Sequence, residues 1–253
     1  MKILIIVSYD GTNYNGYQLQ GEKPTVALML NRAAEKTFGF PCNVTGCSRT
    51  DSGVHALGFA ATLEPRFKKD TITVPTDKIA LAMNANLPND ISVLSARSVD
   101  DTFHPRYGVV RKEYVYRIHD SAIRNPFYKD RVLEYGKRIT DEELRKMSIA
   151  ATQFAGTHYF DSFMSSGSKI TDTQRTVFDS CIKRNGDLIE FTVCADGFLY
   201  NMVRIMVGTL LDVASGKINE TDIASIINAR DRRLAGPTVK PCGLYLKKVT
   251  YNY

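Results

Sequence analysis

The chain has 253 residues, with 33 Lys and Arg against 27 Asp and Glu for a formal net charge of +6, and this length suits two modest domains, each with a core of its own. Its five cysteines, Cys42, Cys47, Cys181, Cys194 and Cys242, include no C-x-x-C pair and leave one odd, which argues against a disulfide framework or a zinc knuckle. No apolar run approaches the roughly 18 residues needed to span a bilayer, and Ile3-Leu4-Ile5-Ile6-Val7 is too short for a signal segment, so a cytoplasmic protein is expected.

Residues 2–9 form a short apolar run ended by the turn signal Asp10-Gly11, which predicts a buried strand. From Thr25 to Phe38, the residues Val26, Leu28, Met29, Leu30, Ala33 and Ala34 recur near helical spacing, and Gly39 and Pro41 stop the helix. Strands follow at about 42–48 and 56–64, then a helix at 76–84, a turn at Asn86-Leu87-Pro88-Asn89-Asp90 and a strand at 91–99. The order β-α-β-β-α-β implies an α+β arrangement, with helices layered on one face of a mainly antiparallel sheet.

The second half opens with Tyr114-Val115-Tyr116-Arg117-Ile118, whose period of two predicts a strand. Thr140 and Glu143 make a capping box for a helix to about Phe154. Asn185-Gly186 joins strands at about 174–184 and 187–195 as a hairpin. A long helix is expected from Phe198 to Ala214, a short one at 221–229 and a last strand at 244–249. The order echoes the first half and suggests two units, residues 1–104 and 105–253, with a cleft between them.

The positive charge is uneven. His104 to Arg138 holds nine cations and four anions, and Asn228 to Lys248 holds six cations and one anion. Solvated faces would explain such segments, and so would a polyanion site, because Lys and Arg clusters gain by displacing phosphate counterions. Tyr107, Tyr114, Tyr116, Phe127 and Tyr128 lie among the first group of cations, which suits stacking on exposed bases; aromatics at every second residue of a strand also serve as core.

Between two predicted strands lies Ser48-Arg49-Thr50-Asp51-Ser52-Gly53-Val54-His55-Ala56. Asp, Ser, Thr and Gly are ordinary turn residues, yet a charge pair beside a tight turn at a sheet's end is also where chemistry is commonly placed. Arg204 falls in the middle of the long apolar helix. It either belongs to a narrow polar stripe with Asn201, Gly208 and Asp212, or it pairs with a carboxylate, since an unpaired buried charge is costly. Asp51 is a candidate partner, and such a pair keeps a carboxylate ionised, as a nucleophile requires.

Taken together, these residues resemble the TruA family of tRNA pseudouridine synthases. The resemblance rests on Tyr9-Asp10-Gly11-Thr12-x-Tyr14-x-Gly16-x-Gln18-x-Gln20, Arg49-Thr50-Asp51-Ser52-Gly53-Val54-His55-Ala56 and Asn86-Leu87-Pro88-x-Asp90-Ile91. It continues through Phe103-His104-x-Arg106, Tyr114-x-Tyr116, Arg175-Thr176, Gly197-Phe198-Leu199-x-x-Met202-Val203-Arg204, Gly208-Thr209-Leu210 and Gly243-Leu244-Tyr245-Leu246. It implies two ferredoxin-like or RRM-like units whose sheets join into an extended central sheet with a basic active-site cleft. It also implies a homodimer that isomerises uridine to pseudouridine at positions 38, 39 and 40 of the tRNA anticodon stem loop, without metal or cofactor. By the same resemblance Asp51 is the catalytic aspartate, attacking either the base or the sugar C1′. Tyr114 packs against the target base, Arg204 is the basic partner of Asp51, and Arg49 helps hold the flipped nucleotide. Tyr17 departs from the family's common tryptophan, and Cys47-Ser48 from its usual small residues.

Three other readings exist. Ile5-Ile6-Val7-Ser8-Tyr9-Asp10-Gly11-Thr12 mimics a haloacid dehalogenase phosphatase signature, but Ser8 stands where the nucleophilic Asp belongs. A metal hydrolase using Asp51 and His55 lacks an evident third ligand. A tRNA-binding protein or chaperone without catalysis has no need of Asp51, Tyr114 and Arg204 together.

Overall fold

The structure is a computed structural model describing residues 2–21, 23–167 and 170–252. The polypeptide forms two compact units, one holding the residues up to Val110 together with those from Tyr245 onward, the other Arg111–Leu244.

The first unit contains β1 (Lys2–Tyr9), α1 (Val26–Phe38), β2 (Cys42–Gly46), β3 (His55–Pro65), α2 (Thr76–Asn84) and β4 (Ile91–Val99). β1 lies between β4 and β3, antiparallel to both, with Ile3 opposite Leu63 and Val7 opposite Phe59. Those four side chains are fully buried, so the apolar run of β1 reads as continuous because both of its faces are covered. β2 pairs antiparallel with the far edge of β3, placing Gly46 opposite Ala61. α1 starts where Thr25 Oγ1 accepts from Leu28 N at 3.3 Å, and it ends where Gly39 adopts φ 80° and donates to Glu35 O, the two caps that its sequence advertises.

The second unit contains all but the first two residues of β5 (Val109–His119), together with β6 (Leu133–Glu134), α3 (Asp141–Thr152), β7 (Gly156–Tyr159), β8 (Gln174–Asn185), β9 (Leu188–Ala195), α4 (Met202–Ala214) and α5 (Ile223–Ala229). Its strands run in the order β5-β9-β8-β7, antiparallel throughout, with β6 added parallel to β5. The predicted capping box is present at α3, where Thr140 Oγ1 accepts from Glu143 N at 3.1 Å and Glu143 Oε2 from Thr140 N at 2.6 Å. Phe154 anchors the core, meeting Phe163 edge-on at 5.1 Å and Phe191 at 6.3 Å; such pairs add about 1 kcal/mol each to burial.

Two features differ from the sequence reading. α4 begins at Met202 rather than Phe198, because Asn201 takes φ 61° and its side chain donates to Ser165 Oγ at 2.9 Å. Asn tolerates this left-handed conformation, and the apolar run continues through the turn because Leu199 is buried there. β6 and β7 were not expected; they are too short to establish a period.

The chain closes with β10 (Leu244–Tyr251), which pairs parallel to β3 through Tyr245 with His55 and Leu246 with Ala56. The last strand therefore falls in the first unit, whereas the sequence reading assigned 105–253 to a second one. Alternation identifies a strand without naming the edge it joins. Among the described residues no helix is long and apolar enough to cross a membrane.

Candidate active site

Asp51 is half-buried on the loop between β2 and β3, and Arg49 is exposed on the same loop. The loop sits in a cradle made by the residues after β1. Ser52 Oγ and Gly53 N both donate to Tyr14 O, at 3.1 and 3.4 Å, and Tyr17 N donates to Thr50 O at 3.2 Å. Tyr9 Oη and Thr50 Oγ1 share a hydrogen bond of 2.9 Å, and Val54 N closes the turn on Asp51 O at 3.2 Å. Two glycines make this approach possible. A Cβ on Gly11 would lie 2.0 Å from Val54 O, and one on Gly16, whose φ is 79°, would lie 2.3 Å from Thr50 O. The spacing Tyr9-Asp10-Gly11-Thr12-x-Tyr14-x-Gly16 thus encodes a seat for the Asp51 loop.

The seat is itself braced. Tyr14 Oη donates to Asp90 Oδ1 at 2.5 Å, and Asp10 N donates to Asp90 O at 2.9 Å. Burial first, and then the Asp90 carboxylate, push the Tyr14 phenol well above its usual range, so it remains a donor. His55 is buried and its Nδ1 lies 3.0 Å from Gly11 N, which donates to it. Asp10 Oδ1 stands 3.1 Å from the same nitrogen but accepts from Thr12 N and Thr12 Oγ1, at 3.0 and 2.5 Å. The His55 ring stacks on Tyr245 at 4.6 Å. These contacts make His55 a brace joining β1, β3 and β10, a role that sequence reasoning missed.

The two departures from the family pattern lie beside this loop. Tyr17 stacks on Phe59 at 4.3 Å and covers Gly46, where a Cβ would come within 2.4 Å of its ring. Among the described residues its hydroxyl is one of two buried side-chain polar groups with no hydrogen-bond partner. Cys47 is fully buried.

In the second unit Tyr114 lies on β5 opposite Val193 of β9, 7 % exposed, and meets the Phe198 ring edge-on at 5.0 Å. Tyr116, two residues on, is fully buried and donates through Oη to Lys240 O at 2.6 Å. Of the aromatics interleaved with the first basic segment, Tyr114 and Tyr116 therefore belong to the core side of β5, while Tyr107 and Phe127 are exposed.

Arg204 is half-buried on α4. Its Nε donates to Val239 O and its Nη1 to Asn201 Oδ1, both at 2.7 Å. These two contacts to a carbonyl and an amide oxygen orient the guanidinium. The stretch around Pro237 can reach α4 because Gly208 lacks a side chain: a Cβ there would lie 1.8 Å from Pro237 O. Thr209 Oγ1 then accepts from Gly236 N at 2.9 Å. Arg204-x-x-x-Gly208-Thr209 therefore works as one device, in which the small residues admit the backbone that holds the arginine. Asp51 and Arg49 thus share one loop of the first unit, and Tyr114 and Arg204 lie on two elements of the second.

Residues 150–252 match a family model described as tRNA pseudouridine synthase. The tRNA pseudouridine synthase A of Thermoanaerobacter sp. (strain X514) is 44% identical over 249 residues, covering 98% of this chain and 99% of the relative. The tRNA pseudouridine synthase A of Caldicellulosiruptor saccharolyticus is 41% identical with the same coverage. The chain belongs to the tRNA pseudouridine synthase A family. A further member, from Exiguobacterium sp. (strain ATCC BAA-1283 / AT1b), is 39% identical over 252 residues, 99% of this chain and 98% of its own length. Likeness to tRNA pseudouridine synthase A thus extends over both units, whereas the family model reaches Arg204 but not Arg49, Asp51 or Tyr114.

Proposed function

We propose that the chain converts uridine to pseudouridine at positions 38, 39 and 40 of the tRNA anticodon stem loop, with Asp51 as the nucleophile. As a member of its family it is an isomerase acting on tRNA uridine. In this reading Tyr114 packs against the target base, Arg204 is the charge partner of Asp51, and Arg49 holds the flipped nucleotide out of the stem. The enzyme works as a homodimer in the cytoplasm.

The observation that carries the assignment is the seat of the Asp51 loop, where two glycines and the backbone of Tyr14 and Tyr17 hold the residues on either side of one half-buried aspartate. A uridine within a stem is out of reach, so it is extruded at a cost of a few kcal/mol, recovered through stacking and phosphate contacts. Attack by Asp51, at the base or at the sugar C1′, lets the N1–C1′ bond break. The uracil turns, C5 bonds to C1′, the bond to Asp51 breaks and returns its carboxylate, the C5 proton leaves and N1 takes up a proton. The reacting groups stay within one nucleotide, so a pocket that excludes water protects the intermediate.

Tritium release from unmodified tRNA labelled at uridine C5 tests this. The wild type is expected to release tritium and Asp51→Ala to release none, with pseudouridine in the product mapping to positions 38–40. Release that survives in Asp51→Ala removes the nucleophile, and wild-type protein that binds tRNA but releases nothing is the chaperone instead. Arg204→Ala is expected to lower turnover about a hundredfold while changing tRNA affinity less than about threefold; unchanged turnover with weaker binding would end its role beside Asp51.

A further inference from the structure

The loop between β5 and β6 displays two large apolar side chains in solvent, Ile123 at 81% and Phe127 at 82% exposure. Single exposed apolar residues are ordinary, but these two stand four positions apart with the exposed cations Arg124 and Lys129 among them. The display is built. Asn125 Oδ1 accepts from Phe127 N and Asn125 O from Tyr128 N, each at 3.0 Å, and Arg131 N donates to Tyr128 O at 2.9 Å. Tyr128 then anchors the turn to the body of the unit, donating through Oη to Asp187 Oδ1 at 3.1 Å and meeting the buried His119 edge-on at 5.2 Å. A turn pinned this way holds Phe127 outward before any partner arrives, so little ordering cost remains to be met on binding.

We propose that this turn is a stacking platform for an unpaired nucleotide of the bound tRNA, with Phe127 against the face of the base and Ile123 beside it. Arg124 and Lys129 take the adjoining phosphates. The proposal rests on the reading that the chain acts on tRNA, and it adds a contact outside the four residues assigned to catalysis and nucleotide flipping. Every base offers a π-face, so an exposed aromatic flanked by cations suits single-stranded RNA whatever its sequence. A second copy of this chain is the poorer occupant, since a patch meeting itself would oppose cation to cation.

The chain contains no tryptophan, so Phe127→Trp introduces a single fluorescent reporter at the platform. Titration with tRNA is expected to quench its emission saturably, with the quench weakening as salt rises. Phe127→Ala is expected to raise KM for tRNA roughly tenfold or more while lowering turnover much less, and Phe127→Tyr should restore most of the loss. Unchanged emission at saturating tRNA, or an unchanged KM in Phe127→Ala, overturns the proposal. So does emission that shifts with protein concentration in the absence of RNA, which would place a second copy on the patch. The reporter with Asp51 intact separates the two readings: quenching without tritium release leaves the platform standing and removes the proposed activity, and tritium release without quenching removes the platform alone.

Discussion

Tyr17 packs its ring against Phe59 and Gly46 and buries a hydroxyl that has no hydrogen-bond partner among the described residues, and burial drives the phenol well above its ordinary pKa. A buried unpaired hydroxyl costs about 1–3 kcal/mol, and its removal leaves the ring's packing intact. Tyr17→Phe is therefore expected to stabilise the protein by about 1 kcal/mol, seen as a thermal midpoint roughly 2–4 °C higher. A lower midpoint would mean that the hydroxyl has a partner in solution. Tyr14, three residues earlier, is the contrasting case. Its phenol donates to Asp90 and its carbonyl accepts from Ser52 and Gly53, so it works as a joint of the Asp51 seat.

The cradle after β1 and the loop between β2 and β3 behave as one element, and glycine chemistry is what joins them. Gly16 and Gly39 share nearly the same backbone conformation, with φ at 79° and 80°, yet a Cβ on Gly16 would strike Thr50 O while one on Gly39 would meet nothing within 4 Å. Replacing either with Ala costs about 1 kcal/mol for the left-handed conformation. Only Gly16→Ala must also push the Asp51 loop aside. Gly39→Ala is expected to lower stability and leave turnover near wild type, whereas Gly16→Ala lowers both, turnover by about tenfold or more. Thermal midpoints and single-turnover rates for the pair check this, and equal turnover in both would show that the cradle does not position Asp51.

For the whole molecule, the two basic segments carry a net charge of about +5 each against a total of +6. If they meet phosphates, tRNA affinity falls steeply with salt, because each neutralised phosphate releases counterions. The expected slope of log affinity against log salt is steeper than about −4, a loss of about a hundredfold or more between 50 and 200 mM salt. A slope near −1 would identify the segments as solvated faces. The aromatics among the first segment follow the same division, with Tyr114 and Tyr116 in the core and Phe127 presented outward.

Most elements were legible from local pattern alone. The strands at 2–9 and 91–99, the helices at 26–38 and 76–84, and the Thr140 capping box follow from periods and caps that span only a few residues. Asp51 stood out for a similar reason: its neighbours are few, charged and contiguous. What stayed hidden depends on contacts distant in sequence. α4 starts at Met202 because Asn201 meets Ser165, β10 joins β3 by setting Tyr245 and Leu246 beside His55 and Ala56, and Gly11 and Gly16 are glycines because Val54 O and Thr50 O lie against them. Local propensity writes the period of an element and its caps; which backbone presses against which glycine is set when the chain packs, so folding alone turned a motif of scattered residues into the seat of Asp51.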